Sequence, residues 1–596
     1  MDAANQRELT VVKDDKRAAK PHLAVLKLSG PDNARRVFVS SLIIKTGNLA
    51  VSSTLRHMVL TASDFASGQD RKSSSPPAWI GAMNFGFDNN WWGSVIGLQK
   101  FKDDYGRVET PGQPKTLPST WMSAASGTPI AGWIIGCFMA GFVTRSIGRK
   151  RTIWVICGIA IIGIILQCAI PSYWGIMVGR LINAISMGLE SNTVPVYMSE
   201  LAPAAIRGAL VNFYQASLML GAIIATGTVY GTSVHLTGQW AYKTVMVVQV
   251  FIPVALAIAV KFIPESPRWL LSKDRHDEAL KALEFMRYGA ASPEEIRLEL
   301  SLMEQANTEQ QQTHEASSFL DCFKGTNGYR TFVAIGIQAL QQSQGNSFET
   351  TYLVTFLQQL GVKSSLLISC ANACMSFAGT VFAFYLSDKI GRRPMLIGGA
   401  FFMAALMWIV SGMAAWLPGG VHGSSAQGCV AALLIYSVFS TGCWGSVMWT
   451  LTAEVGTNQL RERTMSIATI AGFITSLLIT YINPYVQDSP GNLGSRVGLI
   501  YGSISILSMF FVFFVVPETK GRSLEELDEL FQARVPAWRS ASFKATGVGA
   551  QITSVENITP GVAVSVHGKW HSVLEGAEAE AESNDVEKEA VGPVKS

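Results

Sequence analysis

Long apolar runs alternate with short polar loops along most of this chain. Twelve runs have the roughly 20-residue length that a helix needs to cross a bilayer. They lie near 79–99, 121–144, 152–170, 173–196, 208–231, 242–263, 329–356, 364–386, 394–416, 428–452, 464–486 and 496–516. A mostly polar leader precedes them, a hydrophilic insert at 265–328 divides them six and six, and a polar tail follows. The tail ends in the Glu-rich "EGAEAEAESNDVEKEA", a composition that favours disorder. The insert reads as short amphipathic helices. Residues 277–286 repeat apolar positions at helical spacing, and Ser292, Pro293 and Glu295 supply an N-cap, a first-turn proline and a capping-box partner. The pattern predicts an all-α membrane protein.

Composition agrees. Only 15% of the 596 residues are charged and 48% are hydrophobic, against about 25% charge in soluble domains. The net charge of +4 is small, and Lys and Arg gather in short loops, so they report membrane orientation rather than nucleic-acid binding. One side carries "RSIGRKR" (145–151), Arg207, "DKIGRR" (388–393), "RER" (461–463) and "KGR" (520–522), and the loops opposite are poorer in both. Both termini and the insert are therefore expected in the cytoplasm, where the "NIT" at Asn557 stays unmodified. The opening residues lack the apolar core of a cleavable signal peptide. The eight Cys lie mostly inside apolar runs and read as packing residues, with no disulfide or zinc spacing. The His avoid those runs, so no metal site is indicated.

The chain also repeats itself. "GRKR" (148–151) returns as "GRRP", "SELAPAAIRG" (199–208) as "AEVGTNQLRE", and "PESPRWL" (264–270) as "PETKGRSL", each roughly 250 residues downstream, which marks two homologous halves. The predicted organisation is a cytoplasmic leader 1–78, a six-helix bundle 79–264, a cytoplasmic helical linker 265–328, a second bundle 329–517 and a cytoplasmic tail 518–596. Carriers built from such repeats bind substrate near the bilayer midplane, between the halves.

These motifs, with "VPVYMSELAPAAIRG", "PESPRWLL" and "PETKGRSLEELDELF", resemble the sugar porter family of the major facilitator superfamily over about 79–535. The "ELDELFQARVPAW" ending and "INPYV" (482–486) look most like fungal permeases for hexoses and disaccharides. The resemblance implies two six-helix bundles rocking about a central site. It also implies cytoplasmic charge networks that hold the outward-facing state closed on the inside. The matched residues are Arg149, Glu200, Arg207 and Glu265 in the first half, and Arg392, Glu454, Arg461 and Glu518 in the second. Pairs formed in only one state bias a conformational equilibrium. Where the first loop motif usually has Asp, this chain has Arg145, while the second copy keeps Asp388.

Ionisable residues inside a membrane helix are costly and mark function. Asp88 in helix 1 and Arg180 in helix 4 lie well inside, and Glu190 lies nearer the cytoplasmic end without an assigned role. The resemblance aligns Asp88 and Arg180 with the proton-coupling pair of proton-driven sugar porters; the alternative is a static pair that fixes packing. For the substrate, Gln and Asn amides both donate and accept, which suits hydroxyls. Gln215 in helix 5 and Gln341 and Gln342 in helix 7 match the family's sugar-binding glutamines, and Trp449 its stacking tryptophan. Gln338 and Gln344 have interhelical hydrogen bonding as the rival role.

Other positions depart from the pattern. The helix 7 Asn falls on Ser347, with Asn346 one residue early and about 100° round the helix, so only one of the two is expected to replace it. The helix 8 Asn falls on Ser376, with Asn372 a turn away, and the helix 10 Glu falls on Thr441. Glu349 is an extra carboxylate. These changes keep a sugar or polyol as substrate and put glucose itself in doubt. The lead before Asp88 is short. It leaves open a tilted or re-entrant helix 1, or a gene prediction in which residues 45–76 are translated intron. The function expected is proton-coupled sugar uptake at the plasma membrane by a monomer, with no cofactor beyond the proton gradient. The rivals are a uniporter and a transporter-like nutrient sensor. No nucleophile–base pair or nucleotide loop points to an enzyme.

Overall fold

A computed structural model describes residues 76–543, apart from 109–114, 202–206, 287–292, 295, 298, 302, 305–318, 363, 417–423, 458–459, 489–490, 521 and 523. The leader, the segment 45–75, the tail with Asn557, and the Ser292 and Glu295 caps lie outside the described residues. Twelve long helical segments account for most of what is described. In the first half they are α1 (Pro76–Val95), α2 (Ser119–Ile147), α3 (Arg149–Ala169), α4 (Tyr173–Leu201), α5 (Arg207–His235) and α6 (Trp240–Val260). In the second half α7 joins Gly325–Gln341 to Ser347–Gln359, α8 is Ser365–Ile390, and α9 is Arg392–Trp416. Then α10 joins Ser424–Phe439 to Ser446–Val455, followed by α11 (Arg461–Gln487) and α12 (Val497–Val515). Most run a few residues past the apolar runs that predict them, because polar end residues continue the helical backbone.

Nine of these, among the described residues, are long and apolar enough to span a membrane. The three that fall short are α1, α4 and α7. They carry Asp88, Arg180 with Glu190, and the glutamine cluster, so polarity is concentrated in the helices that build the site. Large apolar side chains stay exposed on outer faces, among them Phe138, Phe142, Ile162, Phe251, Phe382 and Phe514, as a lipid-facing surface requires.

The packing repeats with the sequence. In the first half α2 packs on α4, α1 on α5 and α3 on α6; in the second α8 packs on α10, α7 on α11 and α9 on α12. The halves meet through α2 with α11 and through α5 with α8, the same contact seen from each side. Without a hydrophobic drive in lipid, close approach depends on small residues. At the α2–α4 crossing a Cβ on Gly136 would stand 2.2 Å from the carbonyl oxygen of Ile185, so only glycine fits.

Three helices are interrupted. Pro253 has no N–H to offer the carbonyl of Gln249, and α6 breaks there. In α7 the residues Gln342–Asn346 form a π turn in which Gly345 has φ +113°, a conformation open mainly to glycine. In α10 the residues Ser440–Gly445 form a second π turn. Such turns recur at functional sites. In the insert, His276–Met286 is helical and buries Ala279, Ala282, Leu283 and Met286, the stripe that its spacing predicts.

Candidate functional site

A central cavity lies between the halves. Asp88 and Arg180 line it from the first half together with Gln215; Gln341, Gln342, Asn346 and Trp449 line it from the second. All the interior positions singled out as proton or substrate residues therefore face one space.

Asp88 and Arg180 make no ion pair with each other. Asp88 Oδ1 instead accepts from Asn183 Nδ2 of α4 at 2.9 Å, from Trp91 Nε1 at 3.2 Å and from Gln249 Nε2 at the break in α6. The Arg180 guanidinium donates to the Ala125 carbonyl at 2.7 Å and stacks over the Trp92 ring, 4.1 Å from its centroid. Such a cation–π contact in a desolvated site contributes about 2 kcal/mol. The static Asp–Arg pair is thus absent, and each charge rests on neutral partners. Asn183 and Gln249 are partners of Asp88 that the sequence reading missed. The available signal was an Asn three residues after Arg180 and a lone amide in the apolar run "VMVVQVFIP". Glu190 lies deeper: its Oε2 accepts from Asn84 Nδ2 at 3.0 Å, and it does not reach the cavity lining.

The cavity wall is rich in amides. The side-chain oxygens of Gln215 and Gln341 are buried and without a partner. A buried polar atom left unpaired costs about 1–3 kcal/mol, so these two favour a ligand that donates. Gln342 Oε1 accepts from Ser347 Oγ at 2.9 Å and from Asn346 Nδ2 at 3.5 Å. Asn346 and Ser347 both line the cavity. Both residues have helical φ/ψ, so the 100° step between them holds, and the cavity reaches more than one face of α7 just after the kink at Gly345. Gln338 Nε2 donates to Thr452 of α10 at 3.3 Å and so takes the interhelical role. The Gln344 amide is buried without a partner and outside the cavity lining. Ser376, Asn372, Thr441 and Glu349 also line the cavity.

At the end bearing the Gly-Arg loops, matching charge networks close each half. Arg149 pairs with Glu200 at 2.8 Å, and Arg392 with Glu454 at 3.4 Å. Glu265 accepts the backbone N–H groups of Arg149, Lys150 and Ser266; Glu518 accepts those of Arg392, Arg393, Thr519 and Lys520. Each carboxylate sits on a helix N-terminus, where the free N–H groups and the dipole favour an anion. Beside them Gly148 (φ +91°) and Gly391 (φ +103°) have a conformation that suits glycine, and a Cβ on either would crowd the carboxylate. Arg145 is exposed and its carbonyl accepts from Trp269 Nε1 at 3.1 Å, so the first network closes without the usual Asp. Arg461 opens α11 against Gly456. The side chains of Arg207 and Asp388 lie outside the described residues. Arg330 of α7, unmarked by the sequence reading, pairs with Asp528 and ties the C-terminal amphipathic helix Leu524–Gln532 to the bundle.

At the opposite end α1 meets the second part of α7. A Cβ on Gly93 would stand 2.6 Å from the Thr350 carbonyl, and Gln358 Nε2 donates to the Gly97 carbonyl at 2.7 Å.

The same architecture occurs in a solved structure of the proton:xylose symporter XylE of the major facilitator superfamily bound to 6-bromo-6-deoxy-D-glucose. The TM-score is 0.65 at 21% identity, over 78% of this chain and 99% of that one. A high-affinity glucose transporter of Kluyveromyces lactis is 28% identical over 487 residues, 78% of this chain and 86% of that protein. A high glucose sensor of Saccharomyces cerevisiae is 31% identical over 67% of this chain and 53% of its own length. The family model for sugar (and other) transporters matches residues 75–531, and the chain belongs to that family of multi-pass membrane carriers, which are not enzymes.

Proposed function

We propose that this protein takes up a neutral sugar or polyol together with a proton, by alternating access of two six-helix bundles, 79–264 and 329–517, about the central cavity. The observation that carries this reading is Asp88. It is a buried carboxylate on the cavity wall, held by Asn183, Trp91 and Gln249, with its cation near but unpaired. A carboxyl in such a setting can accept a proton from one side and release it to the other, and Arg180 is positioned to take up the charge that release leaves behind. The unpartnered Gln215 and Gln341 oxygens support a ligand rich in hydroxyls. Trp449 supplies an apolar face for a sugar ring. The names of the relatives make glucose the first substrate to try. In this reading the protein works as a monomer in the plasma membrane, and the charge networks, both termini and the linker 265–328 are cytoplasmic. The networks at Arg149 and Arg392 then stabilise the state closed to the inside.

The test is uptake of labelled sugars in a transport-deficient host. Adding substrate should alkalinise the medium, and an acid pulse should drive accumulation that a protonophore abolishes. Uptake indifferent to both would make the protein a uniporter. The likeness to a glucose sensor motivates a second reading, a receptor. Absence of uptake for every sugar, with sugar-dependent signalling intact, would favour it.

A further inference from the structure

The second half holds its own buried carboxyl on the cavity. Glu349, on α7 and 6% exposed, contacts no Lys, Arg or His among the described residues. Its Oε1 meets Asn372 Nδ2 of α8 at 2.7 Å and Ser437 Oγ of α10, and Ser437 Oγ also meets Asn372 Oδ1. These three side chains form a closed triangle. Its three contacts need three protons. The Asn372 amide supplies one and the Ser437 hydroxyl another. Turning the amide over does not help, because it only moves the unfilled contact to the edge between Asn372 and Glu349. A proton on Glu349 supplies the third, and Ser437 Oγ also has the Leu433 carbonyl within reach at 3.1 Å. An ionised carboxylate buried without a cation is also strongly disfavoured in a membrane interior.

The triangle adjoins small residues of the cavity wall. Asn372 and Ser437 each precede by one turn the small residues Ser376 and Thr441, which themselves pair through Thr441 Oγ1 to the Ser376 carbonyl at 3.0 Å. Glu349 is also the residue before Thr350, whose carbonyl meets Gly93 of α1. The two cavity carboxyls, Asp88 and Glu349, thus sit on the two helices that close against each other.

We propose that Glu349 is a second proton-carrying site of the transport cycle, so that two protons accompany each sugar. Facing the outside, Glu349 takes a proton from external water and donates it to Ser437 Oγ, while Ser437 donates to Asn372 Oδ1. Facing the inside, the carboxyl O–H bond breaks and the proton leaves to internal water. The Ser437 hydroxyl then turns to the carboxylate, which keeps its bond from Asn372. The charged and titratable groups around it do not supply the missing proton. Asp88 (α1) and Arg180 (α4) face the same cavity with partners of their own. Tyr436 (α10) donates to the Gln344 carbonyl and Tyr501 (α12) to Asn483. Cys370 and Cys374 of α8 are free thiols, and α11 presents no charged side chain at this level.

This inference rests on the proton-coupled reading, and one measurement separates the two. In proteoliposomes, the membrane potential that just halts sugar flux at a known pH and sugar gradient gives the proton-to-sugar ratio. A ratio of two in the wild type, falling to one in Glu349→Gln, is the expected result; with the Asn372 amide turned over, the Gln amide N–H groups donate to Asn372 Oδ1 and Ser437 Oγ and keep the triangle closed. A wild-type ratio of one overturns the second site alone, and a ratio of zero overturns the coupled reading with it. An unchanged ratio of two in Glu349→Gln also overturns the second site. If that variant does not reach the membrane, Glu349→Ser, which also removes the carboxyl, decides: the ratio should fall to one, and a full two refutes the proposal.

Discussion

Replacing Asp88 with Asn removes one titratable group while nearly preserving shape. All three donors, Asn183 Nδ2, Trp91 Nε1 and Gln249 Nε2, converge on Oδ1, and the Asn amide keeps an oxygen there. The loss for each contact is the difference between a charged and a neutral hydrogen bond, about 1 kcal/mol, so the variant should fold. The energetic consequence for transport is much larger. A proton entering down 100 mV and one pH unit carries about 2.3 and about 1.4 kcal/mol, roughly a 500-fold accumulation of sugar. Asp88→Asn should lower the steady accumulation ratio by about that factor and leave counterflow exchange running, since exchange needs no net proton movement. Accumulation that remains above unity in this variant would have to come through Glu349, whereas a fall to equality points to Asp88 alone. The assay is labelled sugar in energised vesicles, with accumulation and counterflow measured on one preparation. Wild-type accumulation by the variant would refute the role of Asp88.

Three further perturbations probe the rest of the site. Gln341→Leu removes an unpartnered oxygen on the cavity wall and should raise KM about tenfold, the worth of one hydrogen bond; an unchanged KM would remove Gln341 from the proposed sugar wall. Glu265→Gln weakens the acceptor for three backbone N–H groups at the start of α3 and should destabilise the inward-closed state by about 1–3 kcal/mol. Cysteine accessibility from the cytoplasmic side would read this as a shift toward open, and identical labelling would count against the gate. Gly93→Val wedges a side chain against the Thr350 carbonyl and should hold α1 and α7 apart. Substrate would then bind from outside without crossing, and wild-type uptake would show that this contact does not close the pathway.

The spans, the two halves and the loop motifs could be read from the chain because lipid imposes a local rule. A helix in hydrocarbon must be long and apolar whatever lies beside it, so run length and loop charge already carry the topology. The same rule made Asp88, Arg180 and the glutamines of α7 conspicuous, since each breaks it. Tertiary structure decided what those residues do for one another. Asp88 turned out to rest on Asn183 and Gln249, residues 95 and 161 positions away, rather than on Arg180. Asn346 and Ser347 share the cavity although one helical step separates them, because the space is wider than a single face of α7, which the helical period alone could not foresee. Glu349, an unplaced extra carboxylate in the chain, acquired Asn372 and Ser437 only when α7, α8 and α10 came together. Composition and length are properties of one segment. Partnership depends on how far each helix is rotated and how closely its glycines let the next approach, and those quantities exist only once the helices have packed.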